Sequence, residues 1–246
     1  MFRTRFKKSI VAEFLPPVRP SSRVIIFCSG LPGWPGKKDL AEFYAKKGYW
    51  VFIPRYRGSW ESEGKFLARS PHFDVLDVID SLPRGFTESW SGKRYKIKPT
   101  KIYLIGGSFG GPAVILASID KRVDKVVALC PVIDWTVESK AEPIKKLARF
   151  TRDGFGAAYR PAPDAWKKLA SGKFYNPITQ VKKIDGRKLY LIHARNDQVV
   201  SFRPTKKFAQ ITGAKLTLLQ SGGHLSRSIL IQPTFYKRIK KFFDTK

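Results

Sequence analysis

The chain has 246 residues, 47 of them lysine or arginine against 19 aspartates and glutamates, giving a formal net charge of +28. A hydrophobic fraction of 43% is enough for a substantial core, and one domain spanning 1–246 is expected. No apolar run approaches the ~20 residues that cross a bilayer, and the basic start MFRTRFKKSIVAEF lacks the apolar centre of a secretory signal. A cytoplasmic protein with no membrane span is expected.

In chain order, residues 1–20 are expected to supply one or two antiparallel edge strands, with VRPSS as the turn. The runs RVIIFCS (23–29), YWVFIP (49–54), KIYLIGG (101–107), VDKVVALC (123–130), KLYLIHA (188–194) and KLTLLQ (215–220) read as strands. They are apolar at consecutive positions, the pattern of strands covered on both faces. Between them lie helical patterns. KKDLAEFYAKKG sets Leu40, Phe43 and Tyr44 on one face and ends at Gly48, a good left-handed cap. HFDVLDVIDSL sets Leu76, Ile79 and Leu82 on one face and Asp74, Asp77 and Asp80 on the other, read as a solvated acidic face and not as a metal site. The C-terminal QPTFYKRIKKFFDTK buries Phe235, Ile239 and Phe242 behind Pro233. Strand–helix alternation predicts an α/β fold: a mostly parallel sheet with right-handed crossovers and helices on both faces.

Residues 131–187 break this rhythm. They are too long for a simple crossover and carry Trp135, Phe150, Phe155, Tyr159, Trp166, Phe174 and Tyr175. An aromatic insertion at the carboxyl edge of a parallel sheet overlies the ligand crevice, so a cap or lid is expected there. Cys28 and Cys130 end strand-like runs without metal-ligand spacing and are expected to be buried free thiols. The basic residues are dispersed as pairs such as Lys7-Lys8, Lys37-Lys38, Lys182-Lys183 and Lys240-Lys241, which suits a solvated surface better than a nucleic-acid face.

The chemistry centres on Gly106-Gly107-Ser108-Phe109-Gly110, a G-x-S-x-G motif between a strand and a helix. The chain must turn within one or two residues, so Ser108 is expected to be strained, and a β-carbon at 106 or 110 to collide with neighbouring segments. The Phe109 N–H then opens the helix unpaired, at its positive end, where it can bind a developing oxyanion. A phosphate-cradling turn is the other reading of a glycine-rich strand-to-helix junction. Neither G-x-x-x-x-G-K-S/T nor G-x-G-x-x-G with its later acid is present.

A nucleophilic serine needs a base, and there are three histidines. His72 precedes the aspartate-bearing helix, in the wrong part of the topology. His193 lies within a strand and reads as a buried structural residue. His224, in the glycine-rich loop QSGGHLSR after the last strand, is the expected base. Asp197, just beyond the strand carrying His193, is the expected orienting acid. Asp134, at a neighbouring strand end, is the second candidate, and Asp185 precedes its strand at the wrong edge. The order Ser108, Asp197, His224 is that of an α/β-hydrolase. The second oxyanion donor should come from CSGLPGWPG; Pro32 and Pro35 have no N–H, which leaves Leu31, with Gly33 and Trp34 behind it.

These residues resemble the α/β-hydrolase superfamily, and specifically the catalytic domain of the prolyl oligopeptidase family of serine peptidases. GGSFGG is close to that family's GGSYGG elbow. IPRYRGSWESEG (53–64) looks like its N-Y-R-G-S segment, LIHARNDQVV like its acid-bearing segment, and GGH like its base-bearing loop. The similarity covers roughly residues 20–130 and 188–226. It departs at Ser29, which stands where the family's oxyanion segment has histidine, and in showing no preceding β-propeller. It implies a serine hydrolase acting on a small ester or short peptide through Ser108, Asp197 and His224, with the Phe109 and Leu31 amides as oxyanion hole and with no cofactor or metal. The other class of function is a catalytically idle protein of this fold that binds nucleic acid or another polyanion through its basic surface.

Overall fold

The computed structural model describes residues 1–139 and 141–245. The chain opens with an antiparallel hairpin of β1 (Phe2–Phe6) and β2 (Ile10–Leu15), Phe6 opposite Ile10. Its turn is made by Lys7 and Lys8, both left-handed with φ of 47° and 59°. VRPSS is not the hairpin turn; it leads from β2 into β3 (Arg23–Cys28). There follow α1 (Lys38–Lys46), β4 (Trp50–Pro54), α2 (His72–Ser81) and a short hairpin of β5 (Phe86–Thr87) and β6 (Arg94–Tyr95). That hairpin is too short to leave a periodic signal in the sequence. Next come β7 (Lys101–Gly107), α3 (Gly110–Ala117), β8 (Lys125–Leu129), α4 (Ile144–Phe155) and α5 (Ala165–Ala170). The chain closes with β9 (Leu189–Ala194), α6 (Phe202–Thr212), β10 (Lys215–Leu219) and α7 (Pro233–Phe243).

Eight strands form one sheet in the order β1-β2-β4-β3-β7-β8-β9-β10. From β4 to β10 all pairings are parallel, and the β1–β2 hairpin joins antiparallel through β2 against β4. The consecutive apolar residues of β7 explain its central place. Ile102 and Leu104 enter the core on one face with Val114 and Phe109; Tyr103 and Ile105 enter the core on the other with Tyr44 and Phe243. After β3 the sheet grows one way through β4, and after β7 the other way through β8. The carboxyl ends of β3 and β7 therefore flank a crevice, the usual ligand position in such sheets.

α2 differs from expectation. Its buried stripe is Val75, Val78 and Ile79, continued by Leu82, while Leu76 is only half-buried. Asp74 is not solvated: it is 4% exposed, accepts the Arg57 N–H at 2.9 Å and pairs with the Arg57 guanidinium. Asp77 lies 2.9 Å from the same guanidinium, and Asp80 pairs with Arg122 at 2.6 Å. The acidic face anchors the helix to the segment after β4, and a buried carboxylate is tolerable there because a cation faces it.

Candidate active site

Ser108 sits at the tip of the turn from β7 into α3, with φ of +52°. A residue with a β-carbon occupies this left-handed region only when its surroundings hold it there. Ser108 N–H donates to Leu129 O at 2.9 Å, and Ser108 O accepts from Gly111 N–H at 3.0 Å. The glycines at 106 and 110 are sterically required. A β-carbon at 106 would overlap Gly110 O, and one at 110 would overlap Cys28 O and Ser29 O. β3, the elbow and α3 thus pack backbone to backbone.

Asp197 and His224 meet although 27 residues separate them: His224 Nδ1 lies 2.8 Å from Asp197 Oδ2. The carboxylate only accepts, so Nδ1 carries the proton and Nε2 is left with a lone pair. The Asp197 side chain is fully buried and accepts three further hydrogen bonds. Val199 and Val200 N–H donate to Oδ1 at 2.8 and 2.9 Å, and His193 Nε2 approaches Oδ2 at 3.3 Å. Burial pushes the carboxyl pKa up, but hydrogen bonds from His193, His224 and Val200 outweigh it and hold the group well below the usual carboxylate range.

His193 is buried as expected, but it also supports the acid. Its Nε2 lies 2.9 Å from Val200 O, an acceptor, so Nε2–H is shared between that carbonyl and Asp197. Nδ1 then accepts from the Thr205 hydroxyl at 3.0 Å. The other candidates fall away. Asp134 is engaged by Thr136 and Asn176. Asp185 caps its own turn toward Arg187. His72 bonds Ser70 at 2.7 Å at the start of α2, where burial and then Arg69 push its pKa down to about 4. The structure joins Asp197 to His224 by a hydrogen bond, and neither of them makes a hydrogen bond to the Ser108 side chain.

Of the two expected oxyanion donors, neither the Phe109 nor the Leu31 N–H has an acceptor among the described residues. Gly33 N–H is spent on Tyr159 Oη at 2.9 Å, which removes it as a candidate and leaves Leu31 among the loop amides without an acceptor among the described residues. Gly30 packs against Ser108, for a β-carbon there would lie 3.5 Å from Ser108 Cβ. Tyr175 Oη donates to Phe109 O at 2.6 Å and ties the elbow to the insertion.

Ser108, Leu31 and Phe109 line a cavity of about 1080 Å³. Its far wall comes from the insertion, including Ile144, Leu147 and Trp166, and Glu142 lines it within electrostatic reach of His224. Cys28 and Cys130 are both free and buried. Cys130, His193 and Asp197 bring metal-type ligand atoms within 4.8 Å of one another. Burial pushes the Cys130 thiol up to about 12, and the other two are already hydrogen-bonded, so this trio offers a cation no open positions. The sequence placed Tyr159 and Tyr175 only as cap aromatics and gave Tyr56 no role, and Lys37, read as part of a solvated basic pair, is instead 4% exposed. Of these only Tyr56, in the IPRYRGS segment, lay inside a recognisable motif.

Sheet order, elbow and the Ser, Asp, His chain order define an α/β-hydrolase. Residues 38–246 match the prolyl oligopeptidase family (Peptidase_S9), and the chain belongs to that family. Among curated proteins none matches the sequence. A solved esterase from Pyrococcus furiosus superposes with a TM-score of 0.71 at 19% identity, covering 98% of this chain and 90% of that one. Est1E from Butyrivibrio proteoclasticus, solved with ferulic acid bound, gives 0.68 at 15% identity and covers 98% of both chains. Pyrococcus horikoshii acylaminoacyl peptidase gives 0.64 at 18% identity, covering 98% of this chain but 39% of its own. No helix among the described residues is long and apolar enough to cross a membrane.

Proposed function

We propose that the protein is a serine hydrolase that cleaves a small carboxylic ester, or a short-peptide amide, through an acyl-enzyme on Ser108. The observation that carries this reading is the buried, fully hydrogen-bonded Asp197 fixing the His224 tautomer, with a strained serine nearby on the wall of a large cavity. Ser108 Oγ attacks the carbonyl carbon while His224 Nε2 takes its proton. The tetrahedral oxyanion is held by the Phe109 and Leu31 N–H groups. His224 then protonates the leaving alcohol or amine, and water repeats the sequence to release the acid. In this mechanism a hydrogen bond between His224 Nε2 and Ser108 Oγ must close, and such bonds often tighten only when substrate is present.

The apolar lining of the cavity suits an acyl or aryl group, and residues 131–187 act as the cap over it. The likeness to the Pyrococcus furiosus esterase, matched over 90% of its length, and to Est1E with its bound ferulic acid favours small esters over peptides. Labelling by a fluorophosphonate probe in the wild type and not in Ser108→Ala tests the nucleophile. Turnover of short-chain aryl esters against aminoacyl amides separates the two substrate classes. Steeply salt-dependent binding to RNA or DNA without labelling would favour the polyanion-binding reading of the +28 charge.

A further inference from the structure

Lys37, immediately before α1, is 4% exposed, and among the described residues no carboxylate lies within ion-pair distance of it. A buried cation without a counter-ion is costly, and most lysines avoid it by reaching to solvent. Here Nζ donates to Ser29 Oγ. Ser29 O accepts from Tyr56 Oη at 3.0 Å. Ser29 is therefore held at both its side chain and its carbonyl, two residues before the free Leu31 N–H. Its backbone also packs on the elbow, against Gly110. No neighbouring acid accounts for a charge here, since Glu13 and Glu61 are already paired with Arg55.

We propose that Lys37 is a positioning residue for the oxyanion hole: through Ser29 its ammonium fixes the loop that presents the Leu31 N–H and places positive potential behind it. This rests on the hydrolase reading above. Preorganised positive charge in a dry site acts on negative charge as it develops in the transition state, so the consequence falls on kcat. The charged and titratable groups acting on Lys37 are Arg227 after the His224 loop, the Cys28 thiol on β3, Glu13 on β2 and Arg55 after β4. Burial, and then repulsion from Arg227, bring the Lys37 pKa down to about 8; Cys28 and Glu13 oppose this and Arg55 adds to it. The ammonium is thus present at neutral pH and discharged in mild alkali.

The experiment is the pH dependence of kcat for an aryl ester, with fluorophosphonate labelling rates alongside, for wild type, Lys37→Met, Lys37→Arg and Ser29→Ala. Wild-type kcat falls on the alkaline side with a midpoint near the Lys37 pKa of about 8. Lys37→Met has kcat reduced about tenfold or more at neutral pH with KM little changed, and the alkaline fall is gone. Lys37→Arg, which stays charged, keeps more activity than Lys37→Met and also lacks the fall. Ser29→Ala loses activity but retains the fall. Lys37→Met with wild-type kcat and an unchanged alkaline limb would overturn the proposal. So would a flat wild-type profile through that pH, a result that stands even if the Lys37 variants fail to fold. A wild type that is never labelled would remove the hydrolase reading itself, whereas a labelled wild type with indifferent variants removes only the role of Lys37.

Discussion

Replacing Asp197 by asparagine keeps the volume and reverses one end of the side chain. In the wild type, Oδ1 accepts from Val199 and Val200 N–H at 2.8 and 2.9 Å, so the amide oxygen of the introduced asparagine must remain there. Its NH2 then faces His224 Nδ1 and His193 Nε2, both of which are donors in the native site. His224 answers by moving its proton to Nε2, where it can no longer accept the Ser108 proton. A wrong-tautomer base of this kind costs about 10⁴ in kcat, or about 5 kcal/mol of barrier. His193 cannot adapt as easily, because Val200 O holds its Nε2–H at 2.9 Å. The buried donor–donor contact adds a destabilisation of about 1–3 kcal/mol. The pH dependence has a definite sign. The folded Asp197 pKa lies below its ordinary value, so the stability it contributes is complete above about pH 4 and fades as pH falls toward the folded value. The stability gap between wild type and Asp197→Asn therefore narrows in acid. Ester-hydrolysis kinetics at neutral pH and urea unfolding at neutral and acid pH measure both effects. An asparagine variant within tenfold of wild-type kcat, at about the threshold where a tautomer error would be excluded, would refute the assignment of Asp197.

Four further outcomes follow from particular contacts. Tyr175→Phe removes the bond to Phe109 O and should lower unfolding stability by about 1–2 kcal/mol in urea titrations, with slower fluorophosphonate labelling as the elbow loosens. Gly110→Ala drives a methyl into Cys28 O and Ser29 O; a loss of at least about 2 kcal/mol, or failure to label, is expected in thermal unfolding and labelling assays. Arg57→Ala leaves the Asp74 carboxylate buried and unpaired, a cost of about 3 kcal/mol by chemical denaturation with little change in the labelling rate. Lys37→Met removes a buried charge and should be more stable than wild type by about 1–3 kcal/mol at neutral pH. The folded Lys37 pKa of about 8 lies below its unfolded 10.5, so wild-type stability gains with pH across that window and the advantage of Lys37→Met shrinks. Greater stability with lower kcat in that variant would separate a positioning role from a structural one.

The parts of this protein determined by its sequence alone are those encoded by neighbouring residues. Consecutive apolar residues in 101–107 or 189–194 require burial on both faces, and every long strand expected from such a run is present. The elbow is legible because its motif is local: Gly106 must make room for the backbone of Gly110 four residues on, although the need for glycine at 110 itself comes from Cys28 O and Ser29 O on the neighbouring β3 segment. The chain order proposed for serine, acid and base follows from where Ser108, Asp197 and His224 sit relative to the strand ends. Three-dimensional packing decided the rest. Asp74, placed by helical periodicity on a solvated face, is buried because Arg57 arrives from another segment. Tyr175 reaches Phe109 across 66 positions, and His193 completes the Asp197 site because the loop after β9 folds back over its own strand. Lys37 looks like one of many surface lysines until β3 and α1 are docked and its ammonium is enclosed above Ser29. A polar side chain's energy depends on which partner replaces water, and that partner is supplied by chain closure over distances to which no local pattern is sensitive.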